Sequence, residues 1–349
     1  MKRKGLILLL TVIFTIFVSP GHTIEKNHEP KEPSRIGKKP FIISTDMGID
    51  DCLAILYLLR HPGVDVKAVT VCGNGLAYCG PGVRNAQGLL ALGWPWNIPV
   101  SCGQRETLQY NHKFPIAWRR QCSTLMGLSL PANPFPPSTL SAVDLLITTI
   151  KQSPQKVVLL ALGTLTDVAE ALKKEPSLKN NLEMIYIMGG AVKVGGNVEI
   201  PCLTNIKNKY AEFNIYADPV AADRVFKSGA PITLVPLDAC NQVPLDMNFY
   251  KDVVQKHITP QADFVFQLLS KSLDHICSGH YFLWDPLTAV IATDNSMAVI
   301  KEMRISVITR AGHQCGRTIE SPNGNRIKVC ISAKEKPVKK MFQKILNGE

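Results

Sequence analysis

Pro40-Phe-Ile-Ile-Ser-Thr-Asp-Met-Gly-Ile-Asp-Asp-Cys-Leu-Ala-Ile-Leu-Tyr-Leu-Leu-Arg60 reads as a short buried strand that turns directly into a helix. Phe41 to Ile43 is the apolar run of the strand, and Leu53, Leu56, Tyr57 and Leu59 recur at helical spacing. Between them stand Asp46, Gly48, Asp50 and Asp51. Gathered carboxylates repel one another, and a hard cation is the simplest compensation. The same acids also suit a plain helix start, where the helix dipole and the cap position favour negative charge. Both readings stay open on spacing alone. Gly48 is the residue expected to let the backbone turn.

Working outward, strands and helices alternate. Asp65–Val71 is Val-rich and ends at Cys72-Gly-Asn-Gly75; a helix follows from about Pro81 to Leu92, then a short strand at Ile98–Cys102. Residues 103–139 are rich in Pro and polar residues with no sustained period, too long for an ordinary connection, so they form a candidate functional loop or lid. Ser141–Lys151 is helical, and Val157–Leu162 is a strand ending at Gly163-Thr-Leu-Thr-Asp167 with a helix to Lys174. Met184–Met188 is another strand, 191–211 a second long loop, Pro219–Lys227 a helix, and Ile232–Leu237 a strand ending near Asp238. Helices are expected at 249–256, 261–276 and 285–292, and the part from Ile305 to Ile331 has an antiparallel look. Such alternation predicts an α/β fold: an open, mostly parallel sheet with flanking helices and a small antiparallel C-terminal part, in one domain over 39–340. Ligands in such sheets sit beyond the carboxyl ends of the strands, where Asp46, Asn74, Thr166 and Asp238 all fall.

The N-terminus has the form of a secretory signal over residues 1–23. Lys2, Arg3 and Lys4 precede the apolar stretch Leu6–Val18 and the small, turn-prone Ser19-Pro20-Gly21. Residues 24–38 are polar and Pro-containing, as in a flexible linker. A secreted or periplasmic protein follows, with no membrane span left after cleavage. Cleavage removes three basic residues and no acid, lowering the formal charge from +11 to +8. Apart from Lys38-Lys39 and the Lys-rich region from Lys334 to Lys344, the remaining Lys and Arg are scattered, and no stripe is interleaved with aromatics, which argues against a nucleic-acid partner. The Cys residues form no CxxC and no zinc spacing. If Ser321-Pro-Asn-Gly324 closes a hairpin, Glu320 faces Asn325 and Cys315 comes opposite Cys330, the candidate disulfide.

Several stretches together resemble the calcium-dependent nucleoside hydrolases, the inosine-uridine preferring superfamily. Ser44-Thr-Asp-Met-Gly-Ile-Asp-Asp51 is similar to the family's opening Asp-x-Asp-x-Gly-x-Asp-Asp, with Ser44 in place of the first Asp and Met47 where Pro is usual. Val71-Cys-Gly-Asn74, Leu162-Gly-Thr-Leu-Thr-Asp167, Met188-Gly-Gly190, Glu212-Phe-Asn-Ile215 with Asp218-Pro219, and Trp284-Asp-Pro-Leu287 follow in the family's order between about 40 and 335. The resemblance implies a Ca2+ ion held by the carboxylates of Asp46, Asp51 and Asp285 and by the Thr166 carbonyl. Asp46 is also the implied base for the attacking, calcium-bound water. Asp50 and Asn74 are implied on the ribose hydroxyl side, and Met188, Asn197, Glu212 and Asn214 around the rest of the sugar. A homo-oligomer, dimer or tetramer, is the family-level expectation.

The physics of that set is coherent. Calcium takes six to eight oxygen ligands, so carboxylates, a carbonyl, water and a cis-diol suit it together, and deoxynucleosides are expected to react poorly. Many relatives carry a His before the last Asp; here it is Trp284, which stacks on a base but cannot protonate it. Trp284 and Trp118 look like the two Trp residues that sandwich the base in the purine-specific branch. The implied reaction is hydrolysis of the N-glycosidic bond of small ribonucleosides, purine-preferring. A broad or pyrimidine-preferring hydrolase and a non-catalytic nucleoside- or pentose-binding protein are the alternatives. His275, His280 and Tyr281 lie close enough before Trp284 to approach a leaving base. Trp94 and Trp96 read as structural.

Overall fold

A computed structural model describes residues 37–93 and 96–349. The expected signal, nearly all of the expected linker and Trp94 lie outside the described residues. The strands are β1 (Lys39–Thr45), β2 (Val64–Val71), β3 (Val100–Cys102), β4 (Val157–Ala161), β5 (Leu182–Met188), β6 (Ile232–Val235), β7 (Ala298–Val307), β8 (Thr318–Glu320) and β9 (Asn325–Ala333). They form one sheet in the order β3-β2-β1-β4-β5-β6-β9-β7-β8. Pairing is parallel from β3 through β9, and β7 is antiparallel to both β9 and β8. The expected α/β architecture is present, antiparallel C-terminal part included.

Strand sequence explains the layers. Phe41 and Ile43 point into one apolar cluster and Ile42 into the other, as a period of two requires. One face is covered by helices Ile49–Arg60, Cys79–Ala91, Pro260–Lys271, Trp284–Thr293 and Glu335–Leu346, the other by Ala142–Gln152, Thr166–Lys174 and Pro219–Lys227. With both faces buried, the parallel strands read as unbroken apolar runs. The order of successive strands reverses between β1 and β4, which opens a crevice at the carboxyl ends of those two parallel strands.

Three expectations change. The C-terminal Lys-rich stretch is a helix that runs past residue 340: Val338, Phe342, Ile345 and Leu346 are buried at helical spacing, Lys336, Lys340 and Lys344 face out, and Lys339 pairs with Asp246 and Glu335. The 103–139 segment contains a helix, Ile116–Ser123. Cys315 and Cys330 are both free, buried thiols. Their expected hairpin is absent because β8 and β9 flank β7, so Glu320 and Asn325 both pair with Ile305 and not with each other. Cys330 lies opposite Ile300. The disulfide present joins Cys79, at the start of its helix, to Cys102, at the end of β3. Among the described residues no helix is long and apolar enough to cross a membrane.

Candidate active site

Two helix N-termini meet at the crevice. Helix Ile49–Arg60 carries Asp50 and Asp51 in its first turn, and helix Trp284–Thr293, packed alongside it, carries Asp285. Asp50, Asp51 and Asp285 each bring a carboxylate oxygen within 4.8 Å of the others. Asp51 belongs both to the helix start and to this carboxylate trio. One oxygen takes the Gly48 N–H at 2.9 Å, a helix-capping bond, and the other takes the Asp46 N–H at 3.1 Å and the Thr45 hydroxyl. Asp285 is buried with Oδ1 lacking any partner.

Asp46 leaves the end of β1 fully buried. Its Oδ1 accepts from Gly48 N at 3.3 Å and its Oδ2 from Leu76 N at 3.1 Å. Two glycines press on it: a Cβ on Gly75 falls 2.1 Å from the Asp46 Cβ, and one on Gly163 falls 2.6 Å from it. The sharp turn after Asp46 is made by Met47 at φ 59°, whereas Gly48 is extended at φ −62°. Gly48 is needed for room instead, since a Cβ there meets Asp50 Oδ1 at 2.8 Å and Asp51 Oδ2 at 2.9 Å. A non-Gly residue at this φ costs about 1 kcal/mol or more. Proline, usual here in the resembled family, has its φ fixed near −65° and cannot adopt that turn.

Charge crowding is severe. Burial first, then Asp51, holds the Asp46 carboxyl well above the ordinary carboxylate range. Burial followed by Asp51 and Asp50 does the same to Asp285. Asp50 is pushed up to about 8 by burial and then Asp51, although its side chain keeps some exposure and solvent screens part of that push. Like charges in a buried site, with one oxygen unpartnered, call for a compensating cation, and an all-oxygen donor set suits a hard divalent one. The residues fit the group. The tightest trio includes Asp50, expected on the sugar side, and leaves Asp46 at its edge, held by backbone N–H groups.

The remaining expected residues surround this core, several with a tie to the fold. Asn74 accepts from the Thr164 hydroxyl and donates to Thr166 Oγ1 at 2.8 Å, locking the β2 and β4 ends together. Thr166 donates in turn to the buried Asp218 at 2.7 Å. Glu212 receives the N–H groups of Gly190, Asn214 and Ile215, and Asn214 Nδ2 donates to the carbonyls of Leu162 and Met188. Asn197 accepts from Phe213 N at 3.0 Å. Asp238 accepts from Val192 and Lys193 N–H groups and anchors the second loop. Trp284 stands next to Asp285 with its Nε1–H buried and unpartnered, and the Tyr281 ring meets it edge-on at 5.5 Å. Trp118 packs edge-on against Phe213 at 5.3 Å, beside Phe114. Of the three candidates before Trp284, His275 and His280 are exposed, and Tyr281 turns inward, its phenol raised by burial and then by Asp50.

A family model for the inosine-uridine preferring nucleoside hydrolases matches residues 41–343. The chain belongs to that family. Like its relatives, this nucleoside hydrolase is an enzyme acting on ribonucleosides. It is 30% identical over 310 residues to "Probable uridine nucleosidase 2" of Arabidopsis thaliana, covering 87% of this chain and 92% of that protein. It is 37% identical over 209 residues to the pyrimidine-specific ribonucleoside hydrolase RihA of Shewanella sp. MR-7, over 59% of this chain and 61% of that one. The solved purine-preferring ribonucleoside hydrolase of Gardnerella vaginalis superposes with a TM-score of 0.72 at 28% identity, over 89% of this chain and 98% of that one. No role for Thr45, Gly75, Gly163, Asp218 or Arg119 was legible in the sequence alone. Arg119 is followed at once by Arg120, so nothing local marks it out from its neighbour.

Proposed function

We propose that this nucleoside hydrolase releases the base from purine ribonucleosides in preference to pyrimidine ones, with Ca2+ in the carboxylate cluster, and that it does so outside the cytoplasm after removal of residues 1–23. The observation carrying the reaction is the convergence of Asp50, Asp51 and Asp285 beside the backbone-held Asp46. Asp50, Asp51 and Asp285 would hold the cation, with Asp46 and the Thr166 carbonyl as the further ligands the family resemblance implies. Bound there, the cation would neutralise the acids, favour a vicinal diol and make water more acidic. Asp46 takes the proton of the attacking water onto a carboxylate oxygen. The water oxygen bonds to the anomeric carbon, the bond to the base nitrogen breaks, and its electron pair leaves with the base. The remaining carboxylates favour the positive charge that the ribose gains on the way.

Purine preference rests on Trp284, which precedes Asp285 at its helix start, and on Trp118, flat indoles that the family resemblance implies would stack on the base. A pyrimidine-preferring enzyme is the second reading, and the uridine and pyrimidine activities named for two relatives favour it. The test is a panel of inosine, guanosine, uridine, cytidine and 2′-deoxyinosine, each with Ca2+ or chelator. Inosine and guanosine are expected to release base and free ribose fastest, with 2′-deoxyinosine and every chelated sample slow. Faster uridine and cytidine turnover decides for the second reading. Tight nucleoside binding without hydrolysis would make the chain a binding protein.

A further inference from the structure

The segment 103–139 is fastened to the site at its middle. Arg119, on helix Ile116–Ser123, donates from Nη2 to the carbonyls of Gly73 at 3.1 Å and Ala77 at 3.4 Å, and its guanidinium lies 4.3 Å above the Tyr78 ring. The same helix is held by Tyr78 N–H to Ser123 Oγ at 2.9 Å and by Asn85 Nδ2 to the carbonyls of Cys122 and Ser123. The two carbonyls that Arg119 takes bracket a five-residue turn, and that turn grips Asp46. Leu76 N–H reaches Asp46 Oδ2, Ala77 N–H reaches the Asp46 carbonyl at 2.8 Å, and Gly75 packs on the Asp46 Cβ. Within the turn, Asn74 also binds Thr164 and Thr166.

We infer that Arg119 is a positioning residue for the nucleoside hydrolase reaction, fixing the Gly73–Ala77 turn and through it the orientation of the Asp46 carboxylate. This rests on the reading of Asp46 as ligand and base. One nitrogen, Nη2, serves both carbonyls while the guanidinium plane rests on Tyr78; an ammonium is a compact point of charge with no plane to lay on that ring, so it does not hold the nitrogen in the same place. Asp46 also faces the guanidinium electrostatically, opposing the drop in pKa that burial imposes on Arg119. Trp118, the preceding residue, packs edge-on against Phe213, in the apolar cluster that Leu76 of the turn also joins.

The test uses the full chain and compares wild type with Arg119→Ala, Arg119→Lys and Arg120→Ala, the last an exposed neighbour on the same helix. Arg119→Ala is expected to lower kcat on inosine about 10- to 100-fold, the scale of a sub-ångström to one-ångström misplacement, with KM nearly unchanged. Millimolar guanidinium is expected to restore part of that loss, Arg119→Lys not to restore it, and Arg120→Ala to match wild type. Circular dichroism checks that each variant is folded. A folded Arg119→Ala with wild-type kcat, or with a raised KM at wild-type kcat, overturns the inference. Calcium titration followed by thermal shift separates this from the functional reading. If wild type hydrolyses no ribonucleoside, that reading fails, and Arg119 is judged by the calcium midpoint alone. A weaker midpoint in Arg119→Ala supports the hold on Asp46; an unchanged one overturns it.

Discussion

Gly75→Ala puts the geometry of Asp46 to a direct test. The new Cβ falls 2.1 Å from the Asp46 Cβ, 2.8 Å from its Oδ2 and 2.9 Å from its Cγ. Carbon atoms in contact sit about 3.5–4.0 Å apart, so roughly 1.5 Å must be found. The turn cannot simply back away, because Leu76 and Ala77 hold Asp46 through two backbone N–H groups, and breaking each costs about 0.5–1.5 kcal/mol. Gly163 blocks Asp46 on its other side. Overpacking of this kind costs about 1–3 kcal/mol of stability, and a 1 Å displacement of a catalytic group costs about 100-fold in rate. The folded variant is therefore expected to lose roughly 100-fold in kcat on inosine, read by release of ribose, and to unfold at lower urea. Gly80→Ala is the matched control. It is exposed in a helix, its new Cβ meets nothing nearer than Arg84 Nη1 at 3.7 Å, and it gains up to about 1 kcal/mol with kcat unchanged. Gly75→Ala with the stability and kcat of wild type refutes the reasoning.

Other outcomes follow from the same site. Asp46→Asn keeps the fold and loses about 100- to 10,000-fold in kcat, the range for a general base; wild-type turnover in that variant reassigns the base. Metal removal is pH-dependent: Asp46, Asp50 and Asp285 have raised folded pKa values, Asp50 near 8 against an ordinary 3.8. Their contribution to stability is full below the ordinary value and is lost as pH rises through the folded one, so chelated protein loses Tm between about pH 4 and 8. Calcium is then expected to raise Tm more at pH 8 than at pH 5, and an equal effect at both contradicts the crowding. Trp284→Ala raises KM for inosine about 5- to 150-fold if a base stacks there, at about 1–3 kcal/mol, while Trp284→Phe keeps most of the affinity. Non-reducing peptide mapping is expected to recover Cys79 joined to Cys102, and Cys79→Ser to cost about 3 kcal/mol for a link 23 residues apart; a Cys315–Cys330 peptide overturns that pairing.

The α/β alternation was legible because buried parallel strands are continuous apolar runs and their helices carry a separate period. Phe41 to Ile43, Val157 to Leu162 and Leu53 to Leu59 are cases of it. Asp46 and Asp51 were legible together because strand ends and helix starts in such a sheet share one edge, and Asp285 was joined to them only by the order of the family's motifs. The helix Glu335–Leu346 was passed over although Val338, Phe342, Ile345 and Leu346 repeat at its spacing, because the Lys-rich composition outweighed the period.

By itself, then, the amino-acid order determined which local elements form and which acids lie at their ends, since both depend on neighbours a few residues away. Only the tertiary structure decided the rest. Asp50 joins the cation trio because two helix N-termini meet. Glu320 and Asn325 part because β7 comes between them. Met47, not Gly48, takes the left-handed turn. Arg119 reaches the turn behind Asp46 from more than forty residues away. Each of these depends on which distant surfaces are packed together, and no local period or spacing along the chain encodes that.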